Sequence, residues 1–115
     1  MYTYKAKLIR IVDGDTIDAE IDLGFDTFVR KRIRLFGIDT PETRTKDMDE
    51  KTKGLAAKQR LTEILDSEFV VETILNKRGK YGRVLGVVYN LLDNDKRLNI
   101  NETLVEEGHA VKYLF

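Results

Sequence analysis

The clearest periodicity in the chain lies between Thr16 and Leu23. Ile17, Ala19, Ile21 and Leu23 alternate there with Asp18, Glu20 and Asp22, the period-two pattern of a strand with one buried and one wet face. A less regular alternation runs from Tyr4 to Val12 and predicts an imperfect first strand. From Thr27 to Phe36, Val29, Ile33 and Leu35 take one side and Arg30, Arg32 and Arg34 the other, which predicts a third. Asp13-Gly14-Asp15 separates the first two as a turn, because Asp and Gly tolerate the backbone angles of a tight reversal. Leu23-Gly24-Phe25-Asp26 joins the second to the third. If those two pair as a hairpin, an acidic face lies beside a basic one, and cross-strand pairing absorbs much of the charge.

Thr43 to Lys53 is polar, lacks a large aliphatic run and reads as a mobile loop. From Gly54 to Ser67, the apolar positions Ala57, Leu61, Ile64 and Leu65 follow the spacing of an amphipathic helix. Phe69 to Leu75 and Val84 to Leu92, rich in Val, Leu and Tyr, read as the fourth and fifth strands, joined by the basic turn Asn76 to Gly82. Asn99 followed by Glu102 resembles a capping box and opens a short helix through Leu104 and Val105 that stops at Gly108. Three strands, a helix, two strands and a short helix make the layout of a five-stranded OB-fold, a β-barrel with helices of the α+β class. That fold commonly binds oligonucleotides, but a fold does not by itself confer a function.

The 115 residues suit one domain, 1–115, at roughly 100–200 residues per domain. No apolar run approaches the ~18 residues of a membrane span, and the first residues lack the apolar core of a secretory signal. A cytoplasmic chain without membrane association is therefore expected. With no cysteine and a single histidine, His109, a disulfide scaffold, a thiol nucleophile and a Cys/His zinc site are excluded. Chemistry, if present, runs on carboxylates, arginines, hydroxyls and a hard metal ion.

Twenty basic residues balance twenty acidic ones, which argues against a partner bound by bulk electrostatics. The balance hides opposed blocks. Every charge from Asp13 to Asp26 is acidic, whereas Phe28 to Arg60 carries ten basic residues against five acidic ones. Asn76 to Arg83 adds Lys77, Arg78, Lys80 and Arg83 with no acid. A ligand meets these local fields and not the sum.

Four short stretches hold polar residues that periodicity does not require: Asp15 in its turn, Arg34 near the end of the third strand, Asp39-Thr40-Pro41-Glu42 directly after it, and Arg83. Pro41 fixes its own φ and drives Thr40 toward an extended conformation, so Asp39 and Glu42 sit on a stiff turn. Carboxylate and carbonyl oxygens together suit Ca²⁺ or Mg²⁺, and Asp15 completes such a site if both turns meet at one barrel end. A turn-capping role is the plainer alternative for this tetrapeptide. Arginine is well shaped to grip phosphate through two hydrogen bonds, as proposed for Arg34 and Arg83. Arg30 and Arg32 read instead as solvated or ion-paired.

Val12-Asp13-Gly14-Asp15-Thr16, Arg34-Leu35-Phe36-Gly37-Ile38-Asp39-Thr40-Pro41-Glu42, Lys80-Tyr81-Gly82-Arg83, Asn101-Glu102 and Leu104-Val105 before Gly108 occur in this order. In them the chain resembles the staphylococcal nuclease (thermonuclease) family, from about Val12 to Gly108. The resemblance implies a Ca²⁺-dependent phosphodiesterase on an OB-fold that cuts DNA and RNA with little sequence preference and leaves 3′-phosphates. By position, Asp15, Asp39 and the Thr40 carbonyl are the implied metal ligands, with Mg²⁺ as the other candidate ion. Glu42 is the implied general base, Arg34 and Arg83 contact the scissile phosphate, and Lys80 and Tyr81 hold a terminal phosphate. Asn101 is read as structural, tying loops together. Three departures stand out. Gly79 occupies a position that is often Asp, Tyr113 is the nearest counterpart of a C-terminal substrate tyrosine, and the family's C-terminal helix is absent. The surface under that helix is then dispensable or covered by a second copy of the chain, as a homodimer. The competing reading is a non-catalytic OB-fold module that binds nucleic acid through the basic turn and third-strand arginines.

Overall fold

The computed structural model describes residues 2–74 and 84–113. Three long strands open it, β1 (Thr3–Asp13), β2 (Thr16–Asp22) and β3 (Phe28–Leu35), followed by the two-residue β4 (Ile38–Asp39). Helix α1 (Met48–Ile64) leads into β5 (Glu68–Thr73) and β6 (Val84–Leu91). A 3₁₀ turn at Asp93–Asp95 precedes β7 (Arg97–Asn99), α2 (Ile100–Glu106) and β8 (Val111–Lys112).

The sheet order is β3-β2-β1-β5-β6-β7, and a parallel pairing of β3 with β6 closes the first five into a barrel. The period-two positions of β2 point inward as expected, with Ile17 and Ala19 fully buried and Ile21 nearly so. Leu23, expected on the same face, lies beyond the strand and is exposed. The irregular alternation of β1 has a physical cause. Its register against β2 shifts between Leu8 and Arg10 and again between Ile11 and Asp13, and each bulge resets which face a side chain meets. Ile33 and Leu35 of β3, Phe69 and Val71 of β5 and Val88 of β6 complete the barrel core, capped by Leu61 of α1 and by Ile100 and Leu104 of α2.

The stretch expected as a loop through Lys53 is helical from Met48 onward. Asp47 is the N-cap, its side chain accepting from the amides of Asp49 and Glu50, which supply negative charge to the first turn. Apolar periodicity begins only at Gly54, the first buried residue of α1; Met48 to Lys53 before it are exposed or half-buried. Helix α2 opens as expected, with Asn99 accepting from the Glu102 amide, and the chain turns out of it at Gly108 (φ 81°). Short β4, β7 and β8 have no periodicity to betray them; β4 and β8 pair with each other outside the barrel. Among the described residues no helix is long and apolar enough to cross a membrane.

An acidic pocket at the mouth of the barrel

The β1–β2 turn and the end of β3 meet because Thr16 lies opposite Arg34 in the β2–β3 register, and the Leu35 amide donates to the Asp15 carbonyl. The chain then reverses through Gly37 (φ 80°), a conformation that glycine adopts without steric cost, and returns as β4. This reversal brings Asp39 and Thr40 back over Asp15. The Thr40 amide donates to Asp15 Oδ2 at 3.1 Å, and Thr16 Oγ1 donates to Asp15 Oδ1 at 3.0 Å. Asp13, Asp15, Thr16, Arg34, Asp39, Thr40, Pro41 and Glu42 line one pocket of about 170 Å³.

Arg34 is the buried cation of this pocket. Its Nη1 donates to the carbonyls of Leu35 (2.8 Å) and Ile38 (2.9 Å), which orients the guanidinium. Its Nη2 then lies 3.3 Å from Asp39 Oδ1 and 3.4 Å from Asp15 Oδ2. One positive group thus bridges two carboxylates that would otherwise repel one another, Asp15 buried and Asp39 half-exposed. Burial, followed by the charge of Asp15, holds the Asp39 carboxyl above its ordinary value against the opposing pull of Arg34. Desolvation also raises the Glu42 carboxyl, reinforced by the charges of Asp13, Asp15, Asp39 and Glu50. Four acids, Asp13, Asp15, Asp39 and Glu42, thus line one pocket with Arg34.

Asp15, Asp39 and Thr40 line the same pocket, and two carboxylates with a main-chain carbonyl would offer an all-oxygen donor set of the kind that fits a hard divalent cation with water completing its shell. Among the described residues no three His, Asp or Glu side chains are grouped to hold a metal by themselves. A metal at Asp15 and Asp39 would therefore rely on a carbonyl and solvent as well.

The structure brings Asp15, Arg34, Asp39, Thr40 and Glu42 together. Tyr113 lies elsewhere: its amide donates to the Gly37 carbonyl, and it lines a groove of about 680 Å³ with Phe36, Ile38, Val87 and Val105. Lys80, Tyr81 and Arg83, with the rest of the basic turn, lie outside the described residues. Asn101 is structural as expected: its amide nitrogen donates to the carbonyls of Phe36 and Gly86, and its oxygen accepts from the Val88 amide. Sequence reasoning credited Asp13 only with a place in a turn and an acidic block. It assigned Thr43 to a loop, yet Thr43 Oγ1 donates to Asp13 Oδ1. The signal available for Asp13 was the second carboxylate of the Asp-Gly-Asp turn; Thr43 had none.

The staphylococcal nuclease homologue family model matches residues 32–115. The chain belongs to the staphylococcal nuclease family. It is 34% identical over 116 residues to the micrococcal nuclease of Shigella flexneri, covering 97% of this chain and 60% of that protein. To the thermonuclease of Staphylococcus intermedius it is 35% identical over 102 residues, 88% of this chain and 55% of that one. To the SPbeta prophage-derived endonuclease YokF of Bacillus subtilis it is 36% identical over 114 residues, 94% of this chain and 34% of that one. The chain thus spans about 60% of the length of the first of these family members and less of the other two.

Proposed function

We propose that this chain is a metal-dependent nuclease that hydrolyses phosphodiester bonds of DNA or RNA with little sequence preference and leaves 3′-phosphates. The observation that carries the proposal is the convergence of Asp15, Arg34, Asp39 and Glu42, from three separate stretches of a staphylococcal nuclease-family chain, on one small polar pocket. Asp15, Asp39 and the Thr40 carbonyl would hold the ion, Ca²⁺ in the first instance. Its chemistry there is to neutralise the carboxylates and stabilise negative charge on a phosphate.

The chain's own groups do the rest. Glu42 takes a proton from the water that attacks phosphorus, and its raised pKa makes it a better base than an ordinary carboxylate. A new P–O bond forms, the bond to the 5′-oxygen breaks, and that oxygen takes up a proton and leaves as a hydroxyl. Arg34 already has its guanidinium aimed into the pocket, and swings part of its hydrogen bonding from Asp39 to a phosphate oxygen as charge accumulates. Arg83 assists it, and Lys80, Tyr81 and Tyr113 hold the substrate beyond the scissile bond.

The deciding measurement is cleavage of plasmid DNA and of single-stranded RNA with Ca²⁺ or Mg²⁺ supplied, in the wild-type chain and in Glu42→Gln. Loss of general-base catalysis lowers the rate about a hundredfold or more. Equal rates in the two proteins would overturn the assignment, and salt-sensitive binding without any cleavage would point to a binding module instead.

A further inference from the structure

Glu42 must be placed by its backbone. Its side chain is exposed, and no described residue gives it a hydrogen bond or an ion pair. The turn that carries it is held from two sides by residues to which the nuclease reading gives no task. On one side, the hydrogen bond from Thr43 Oγ1 to Asp13 Oδ1 ties the turn to the end of β1. On the other, α1 is seated directly on the turn at Gly54, which is buried. A Cβ at this position would stand 2.5 Å from the carbonyl oxygen of Glu42 and 2.7 Å from that of Pro41. Both distances are shorter than a methyl group tolerates, so only glycine lets the helix approach this closely. Glycine in a helix interior is less favourable than alanine, yet here it occupies the interior of a helix of seventeen residues. The same helix meets the other turn of the site, since a Cβ at Gly14 would stand 2.8 Å from Ala57 Cβ and 3.1 Å from Thr40.

We propose that Thr43, acting through Asp13, and Gly54, acting through α1, are positioning residues for Glu42, fixing the backbone from which its carboxylate reaches the pocket. The inference rests on Glu42 being the general base. Thr43→Val removes the hydroxyl while keeping the shape of the side chain, Thr43→Ser keeps the hydroxyl, and Gly54→Ala pushes the helix off the turn. Thr43→Val and Gly54→Ala are expected to lower kcat about tenfold or more at nearly unchanged KM, since a small misplacement of a reacting group is costly. Thr43→Ser retains the wild-type kcat. In the ion-free chain, amide hydrogen exchange at residues 42–44 speeds up in Thr43→Val, while the Leu61 and Val88 amides exchange as in the wild type. Leu61→Ala, a core truncation on the same helix, lowers Tm and leaves kcat of the folded protein intact, which separates positioning from general destabilisation.

Wild-type kcat in both Thr43→Val and Gly54→Ala, or a Thr43→Ser chain as impaired as Thr43→Val, overturns the inference. Should Gly54→Ala fail to fold, the Thr43 pair decides alone. If Glu42→Gln cleaves like the wild type, the general-base reading and this inference fall together. If Glu42→Gln is impaired and the positioning variants are not, only this inference falls.

Discussion

Arg34 does two jobs with one guanidinium. One edge is spent on the Leu35 and Ile38 carbonyls, so the side chain cannot relax away when its carboxylate partners are engaged elsewhere. The other edge compensates Asp15 and Asp39. Removing a partner from a buried ion pair leaves uncompensated charge, which is worse than never having had the pair. Arg34→Gln is therefore expected to destabilise the ion-free chain by about 3 kcal/mol, read from urea unfolding. Added Ca²⁺ should raise Tm more in Arg34→Gln than in the wild type, because the protein cation that competes for both carboxylates is gone. An equal rise in both proteins would mean that Arg34 and a divalent ion do not share these ligands. That Arg34 mattered was legible from its place among charges beyond the needs of a strand face. Its burial was not, because alternation assigned it the same wet face as Arg30 and Arg32. Curvature at the barrel mouth, where β4 folds over the end of β3, decides the difference.

At the scale of elements, the β2–β3 hairpin bears out the expectation that its charges face one another. Arg32 makes two hydrogen bonds to Asp18, at 2.8 and 3.1 Å, directly across the ladder, and Arg10 of β1 stands 3.5 Å away on the other side. The hydrogen bond from Arg32, more than any other influence, holds the Asp18 carboxyl below its ordinary value. A carboxyl whose pKa is lower in the folded state stabilises the fold above its unfolded pKa, about 3.9, and this stabilisation is lost as pH falls through the folded value. Arg32→Gln should therefore be less stable than the wild type at neutral pH, and the gap should close as the pH drops below about 4. Denaturant titrations at a series of pH values measure it; a gap independent of pH would assign the loss to packing. In α1 the N-terminal cap is the element-scale test. Asp47→Ala should cost about 1 kcal/mol with no change in cleavage at saturating substrate, because Asp47 is exposed and does not itself line the pocket. A loss of cleavage without a loss of stability would give this helix end a direct part in the site. The polar run from Thr43 to Lys53 reads as a loop in the sequence, because a helix with no apolar face over its first turns gives periodicity nothing to detect.

For the molecule as a whole, Asn101 is the side chain on which the parts are hung. Buried in α2, it reaches β6 through Gly86 and Val88, and the turn after β3 through Phe36. These contacts hold β6 and the start of the reversal at Gly37 in one arrangement, and that reversal delivers Asp39 to Asp15. Asn101→Ala removes the side chain that serves the Val88 amide and the Phe36 and Gly86 carbonyls, although the Gly86 carbonyl keeps the Phe36 amide, and should lower stability by about 1–3 kcal/mol and reduce the fraction of folded, cleavage-competent chain. Wild-type stability in this variant would show that water replaces the amide.

Local pattern in the chain is enough to place the β2 and β3 strands, the amphipathic core of α1, the capped start of α2, the five-stranded barrel and the family. These rest on local periodicity, on turn chemistry and on motifs whose residues are adjacent. It also marked Asp15, Arg34, Asp39, Thr40 and Glu42 as residues in excess of what the strands require. The folded chain is needed to see that Asp15, Asp39 and Arg34 form one compensated cluster and that Asp13 and Thr43 meet across thirty positions. It alone placed a helix glycine against the backbone of Glu42. Those relations depend on strand register, two bulges and a close helix approach, all of them set by non-local packing that no window of sequence contains.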